Sequence, residues 1–190
     1  MLIFPKSVAG VTLIELMIAI TILGILLILG LPESFKWMQN TRIRTAAESI
    51  SNGLQLARGE AVRRNTQIEF VLTNNDPVDV AMPTLLTNTT GPNWVVRIYQ
   101  APNPYTAADF IQGGAESSPN VVITAGSANV VFNGLGRVTL GANTIQVTNP
   151  TGGACIAAGP MRCLNIVVQI GGQIRMCDPS IITVGDTRKC

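Results

Sequence analysis

The sequence predicts an α+β fold, in which one long N-terminal α-helix, transmembrane in its first half and amphipathic in its second, packs on an antiparallel β-sheet head. Three observations predict it. Residues 11–31 form an apolar run broken by a single carboxylate, Glu15. Beyond that run Ile43, Ala47, Ile50, Leu54, Ala57 and Ala61 recur at steps of four and three, which traces one face of a helix. From Gln67 onward the period changes, and short β-branched runs alternate with Gly, Pro, Asn and Asp.

The 190 residues suit one globular domain with an appendage. A net charge of +2 and 13% charged residues lack the basic excess of a dedicated nucleic-acid binder. There is no histidine, which removes Ser-His and Cys-His nucleophile pairs and His-containing zinc sites together. The expectation is a protein that is not an enzyme and holds neither cofactor nor metal. Cys155, Cys163, Cys177 and Cys190 all fall in the last fifth of the chain, without C-x-x-C spacing. They read as disulfides and place that part of the chain in an oxidising compartment.

As a helix, residues 11–31 reach about 31 Å, enough to cross a hydrocarbon core. The leader "MLIFPKSVAG" carries Lys6 and ends in Ala9-Gly10, so its small-residue junction precedes the apolar run, the reverse of a secretory signal. Cleavage there leaves the helix on the mature chain with Val11 as its new amino terminus. An ionised carboxylate inside a bilayer costs about 2.5 to 3.5 kcal/mol, so Glu15 needs a partner. The α-amino group of Val11, or that of a neighbouring subunit, suits it and turns the carboxylate into a register pin.

Pro32 closes the run and predicts a bend. Gly53 and Gly59 each cost the following helix about 1 kcal/mol relative to alanine. Arg44, Glu48, Gln55 and Arg58 lie opposite the apolar stripe, and Arg58, Arg63 and Arg64 suit a solvated helix C-terminus whose dipole they complement.

In the head, "QIEFVLT", "WVVRIYQ", "NVVIT", "NVVFNG", "NTIQVT" and "LNIVVQI" read as strands. Gly171-Gly172 predicts a two-residue hairpin, and Asn133 to Gly136 a second turn. Residues 76–93 read as a long loop with a short strand at 83–86. Four cysteines allow three pairings. With the chain turning at Gly171-Gly172, Cys163 lies beyond the residue opposite Cys177, which disfavours a bond between them, while Gly159-Pro160 can bring Cys155 back to Cys163. The expected pairs are Cys155 with Cys163 and Cys177 with Cys190, the second tying down the C-terminal tail.

Gly10 followed by "VTLIE" resembles the type III signal of type IV pilins and type II secretion pseudopilins. The resemblance implies cleavage after Gly10 by a prepilin peptidase, methylation of Val11, and an assembly role for Glu15, with Pro32 where the family's long helix has a proline. Val11 stands where phenylalanine or methionine is usual, and the leader has a single lysine. "LARGEAVRRN" and "GGQIRMCDP" resemble the GspH/FimT branch, in particular minor pilins of the FimT/FimU type, and leave Asp76 to Pro119 unmatched.

A pilin-like fold follows as the expectation, with a cleaved leader at 1–10, a transmembrane helix at 11–31, an amphipathic helix at 32–66 and a β-rich head at 67–190. The implied function is that of a minor pilin in type IV pilus assembly and initiation. Its partners are other major and minor pilins through the N-terminal helix, the prepilin peptidase and the bacterial inner membrane, with the head in the periplasm and later on a surface pilus. Lys36, Arg42 and Arg44 after the span, against Lys6 before it, argue for the opposite orientation by charge count, and the cysteines and leader argue against that count. A minor pseudopilin of type II secretion is the alternative. A second alternative is a FimT-like minor pilin that contacts DNA through a Gly-Arg-x-Arg motif. Here Gly172-Gln173-Ile174-Arg175 lacks the first arginine, leaving Arg162, Arg175, Arg188 and Lys189 as candidate contacts.

Overall fold

The computed structural model describes residues 10–116, 118, 120–157 and 159–190, without the side chains of 28–34. The leader up to Ala9, including Lys6, lies outside the described residues. The chain divides into two compact units, Met1–Trp37 and Met38–Cys190. One helix, α1 (Leu13–Arg64), contributes to both. Pro32 and the bend expected there fall among the residues whose side chains are not described.

The ends of α1 follow from local chemistry. Thr12 precedes its first turn, and the Thr12 hydroxyl accepts the Glu15 N–H at 3.3 Å, satisfying one of the donors that a helix start leaves unpaired. At the other end Asn65 takes a left-handed conformation (φ 49°), and the Thr66 N–H turns back to the Ala61 carbonyl at 3.2 Å. Arg63 and Arg64 both donate to Glu60. These bonds hold the Glu60 carboxyl down at about 2. The folded value is therefore below the unfolded value of about 4.3. The contribution of Glu60 to stability is full above that unfolded value and is lost as pH falls towards 2. A carboxyl NMR titration should place the Glu60 midpoint near 2, and replacing both arginines by alanine should return it towards the unfolded value.

The expected stripe is the core face of α1: Ile43, Ala46, Ala47, Ile50, Leu54, Ala57 and Ala61 are buried. Alanines at four of these positions let the sheets approach the helix closely. The head has two antiparallel sheets rather than one. The first contains β1 (Ile68–Thr73), β2 (Asn93–Ile98), β3 (Phe110–Gly114), β5 (Asn129–Phe132) and β6 (Val138–Leu140), in the order β3-β2-β1-β5-β6. The second contains β4 (Val122–Ala125), β7 (Thr144–Thr148), β8 (Leu164–Val168) and β9 (Ile174–Cys177), in the order β4-β7-β8-β9. Strand β1 is buried along its whole length because both faces are covered. Ile68, Phe70 and Leu72 join the helix-side core, while Val71 packs with Met82, Leu85 and Val95 in a second cluster.

Three readings of the head are corrected. In place of the expected strand at 83–86, Pro83 and Thr84 end a 3-10 helix, Asp79–Thr84, and Leu85, extended, and Leu86 follow it to an isolated bridge between Thr73 and Thr87. Strand β3 was not expected, because "FIQGG" ends in a glycine pair that reads as a turn. The hairpin after β8 is not a two-residue turn: the Gln169 N–H bonds the Gln173 carbonyl, with Gly172 at φ 83° inside the loop. This longer loop shifts the register by one residue, so Asn165 rather than Ile166 faces Cys177. The β5–β6 hairpin repeats the arrangement, with Asn133 bonded to Arg137 and Gly136 at φ 72°.

Candidate functional site

Three groups of polar residues could carry function. The first lies on the N-terminal stretch of α1. Gly10 and Val11 precede its first turn and are exposed. From Leu13 to Leu27 the large apolar side chains are half to three-quarters exposed. Glu15 stands among them, and its carboxylate has no hydrogen-bond or ion-pair partner among the described residues, although its backbone N–H is held by Thr12. Among the described residues no helix is long and apolar enough to cross a membrane. The expected span at 11–31 extends into residues whose side chains are not described.

The second group was not anticipated. Glu69 and Arg97 face each other across β1 and β2 and are only 2% and 3% exposed. Arg97 Nε donates to Glu69 Oε2 at 2.8 Å, the Tyr105 hydroxyl donates to the same oxygen at 2.8 Å, and Asn129 Nδ2 donates to Oε1 at 2.9 Å. The Arg97 guanidinium also lies 3.4 Å from the centre of the Tyr105 ring. Burial first, and then the Glu69 charge, push the Tyr105 hydroxyl up to about 12. Nearby, burial opposes ionisation of Asp109, but the Thr106 N–H and the Gln100 amide hold its carboxyl below the usual range. Glu69 and Arg97 are buried and bonded to each other, and the Tyr105 and Asp109 bonds tie the 99–109 loop to the sheet. A signal was present in the sequence: each charge interrupts a β-branched run, and the two are opposite in sign.

The third group is the set of C-terminal cations. Arg188 is paired with Asp186 at 2.7 Å, and this pairing holds the Asp186 carboxyl down at about 2. Arg162 lies 4.0 Å from Asp178, and Lys189 Nζ donates to the Ile182 carbonyl. Arg175 is exposed on β9. The four are therefore not a patch of free cations. The segment that carries Arg188 and Lys189 is closed by a disulfide between Cys177 and Cys190 (Cα–Cα 5.0 Å), and Cys155 bonds Cys163 (Cα–Cα 5.5 Å). These are the two pairs expected from the sequence. The Asp178 N–H also bonds the Arg188 carbonyl, returning the tail to the end of β9. Non-reducing peptide mapping should recover both pairs, and a peptide joining Cys155 to Cys190 would contradict them. Among the described residues no group of acids and cysteines could hold a metal ion.

The family described as type II transport protein GspH matches residues 46–172, and the prokaryotic N-terminal methylation motif matches residues 5–31. Among solved structures, the type IV minor pilin FimU of Pseudomonas aeruginosa is 15% identical, with a TM-score of 0.50 over 74% of this chain and 91% of that one. The minor pseudopilin EpsH of the type 2 secretion system of Vibrio cholerae is 12% identical, with a TM-score of 0.47 over 74% of this chain and 99% of that one. No curated protein matches. At these identities the likeness to FimU shows the fold: a helix packed on antiparallel sheets, as in a pilin.

Proposed function

The chain belongs to the family of type II transport protein GspH, and from that premise we propose that it is a minor pilin, a structural and non-catalytic subunit in type IV pilus assembly and initiation. The observation that supports this most is the contrast along α1. Its residues from Ile43 to Ala61 bury one face in the head, while its apolar residues from Leu13 to Leu27 stand exposed around Glu15, whose carboxylate has no partner among the described residues. An apolar helix surface of that kind calls for a bilayer or a bundle of similar helices.

In this reading a prepilin peptidase cuts after Gly10, Val11 becomes the methylated amino terminus, and the first part of α1 anchors the subunit in the inner membrane with the head in the periplasm. Glu15 then pairs with the terminal amine of a neighbouring pilin as the subunit leaves the membrane for the fibre. Substituting a bulkier residue for Gly10 should leave the leader attached. Mass spectrometry of the membrane form reads this directly, and an amino terminus still at Val11 would exclude the assignment. Glu15→Val should insert in the membrane at least as well as the parent chain, yet enter sheared pili at a level roughly tenfold lower, as expected for loss of about 1.4 kcal/mol of pairing energy. Equal incorporation of the variant removes the pairing role.

A minor pseudopilin of type II secretion is the second reading, favoured by the description of the matched family. Deletion separates the two: loss of surface pili and twitching supports the first, and loss of protein secretion supports the second. The DNA-contacting alternative gains nothing from the geometry, because Arg188 and Arg162 lie against acids and phosphate neutralisation needs several free cations. Salt-dependent retardation of DNA by the protein would reinstate it.

A further inference from the structure

Two patches on the head carry opposite charge around apolar residues, and we infer that they join one copy of this chain head-to-tail to a second copy. The first patch is the loop after β1. Its 3-10 helix, Asp79–Thr84, is pinned by Met82, and by Leu85 just beyond it, against Val71 and Val95. Residues three apart nearly eclipse in such a helix. With Met82 and Leu85 turned inward, Val80, Pro83 and Leu86 form the next ridge, and Val80 and Leu86 are 75% and 74% exposed. Asp76 and Asp79 flank this ridge, both exposed, with no cation paired to either among the described residues.

The second patch forms where the β5–β6 and β8–β9 turns touch. The Val138 N–H donates to the Ile170 carbonyl at 3.0 Å. The turns are so close that a Cβ on Gly172 would sit 1.8 Å from the Gly136 carbonyl oxygen, and at φ 83° the position favours glycine in any case. Leu135 (78% exposed) and Ile170 (74%) project from these turns. Val62 of α1 adjoins them, its Cγ2 3.2 Å from where a Gly136 Cβ would stand, and Arg58 Nε lies 3.1 Å from the same point. Neither Arg58 nor Arg137 has an acidic partner among the described residues, and both are exposed.

Topology places the patches apart. Ile68 pairs with Phe132, so the 134–136 turn extends from the Ile68 end of β1, whereas the loop bearing Val80 leaves from its Thr73 end. Patches at opposite ends of one strand cannot meet within a copy. Two copies can bring them together, apolar ridge against apolar turns and carboxylates against arginines. Such a contact is heterologous, so it propagates into a row unless its rotation closes a ring. The charges set register and make the contact salt-sensitive, while the apolar residues supply the buried centre. This inference stands on the head alone and does not rest on the membrane or pilus reading.

The test uses the full-length chain in detergent micelles, with a photo-crosslinking phenylalanine analogue in place of Leu135 and two differently tagged copies. The expected product joins position 135 of one copy to residues 76–86 of the other, as mapped by peptide mass spectrometry. Arg58→Glu with Arg137→Glu on the probe copy should lower the yield about tenfold. Asp76→Lys with Asp79→Lys on the second copy should then restore it. A cross-link to any other surface of the second copy, to a different protein only, or to nothing overturns the inference, as does failure of the reversed charges to restore the yield.

Discussion

Arg97→Ala is expected to lower the unfolding free energy of the head by about 3 to 5 kcal/mol, because it leaves Glu69 charged and buried with its principal partner removed. Glu69 accepts from Arg97, Tyr105 and Asn129, and alanine at 97 removes the one positive charge among them. The Tyr105 ring also loses the cation packed against it. Urea unfolding of the full chain, followed by Trp94 fluorescence, reads the change, since the Trp94 indole is buried on the neighbouring part of β2. Replacing Arg97 by methionine and Glu69 by leucine together should recover most of the loss, because no buried charge is then left without its partner. A residue of about 1 to 3 kcal/mol should persist from the stranded Tyr105 hydroxyl and Asn129 amide. A single variant within about 1 kcal/mol of the parent would mean that water entering the vacated space replaces the pair, and that Glu69 is not left as an uncompensated buried charge.

That cluster also shows where sequence reading stops. The helical stripe is legible because burial repeats at 3.6 residues, which Ile43 to Ala61 obey without interruption, and most strands are legible as β-branched runs bounded by Gly, Pro, Asn and Asp. Strand β3 was not legible because its membership of the sheet depends on pairing with β2, from Trp94↔Gly114 to Arg97↔Phe110, and Gly113-Gly114 carry no β propensity of their own. The second sheet was illegible for a related reason: the runs reveal strands but not which strands pair. At the N-terminal end the opposite holds. Gly10, Val11 and Glu15 are marked by their resemblance to the type III signal, and the folded chain adds to them only the Thr12 cap on the Glu15 N–H. The roles proposed for Gly10, Val11 and Glu15 need only a linear stretch of sequence, whereas the Glu69 network is made by the fold. The order of the two hairpin loops lies between these cases, since the glycines announce turns but the register had to be seen.

Gly53 and Gly59 are equivalent in the sequence, two glycines in one helix, yet alanine at the two positions is expected to change stability with opposite signs. A Cβ on Gly59 meets nothing within 4 Å. Gly59→Ala should therefore stabilise the helix by up to about 1 kcal/mol, through reduced backbone entropy in the unfolded chain and better helix propensity. A Cβ on Gly53 would lie 2.9 Å from Phe70 Cε2 and from Trp94 Cδ2 and Cε3. Those rings cannot easily retreat. They stack on each other at 5.9 Å between centroids, Trp94 Nε1 donates to Ser49 Oγ at 3.0 Å, and Gly114 closes on the same indole so tightly that its own Cβ would be 2.6 Å from Cε2. Overpacking of this kind costs about 1 to 3 kcal/mol, which exceeds or cancels the propensity gain. Gly53→Ala should thus fall below the parent chain by up to about 2 kcal/mol, leaving the two variants separated by roughly 1 to 3 kcal/mol in the same urea titration. If both substitutions stabilise the protein equally, then α1 does not press on β1 and β2 at Gly53, and the close approach of helix and sheet that organises the head would have to be abandoned.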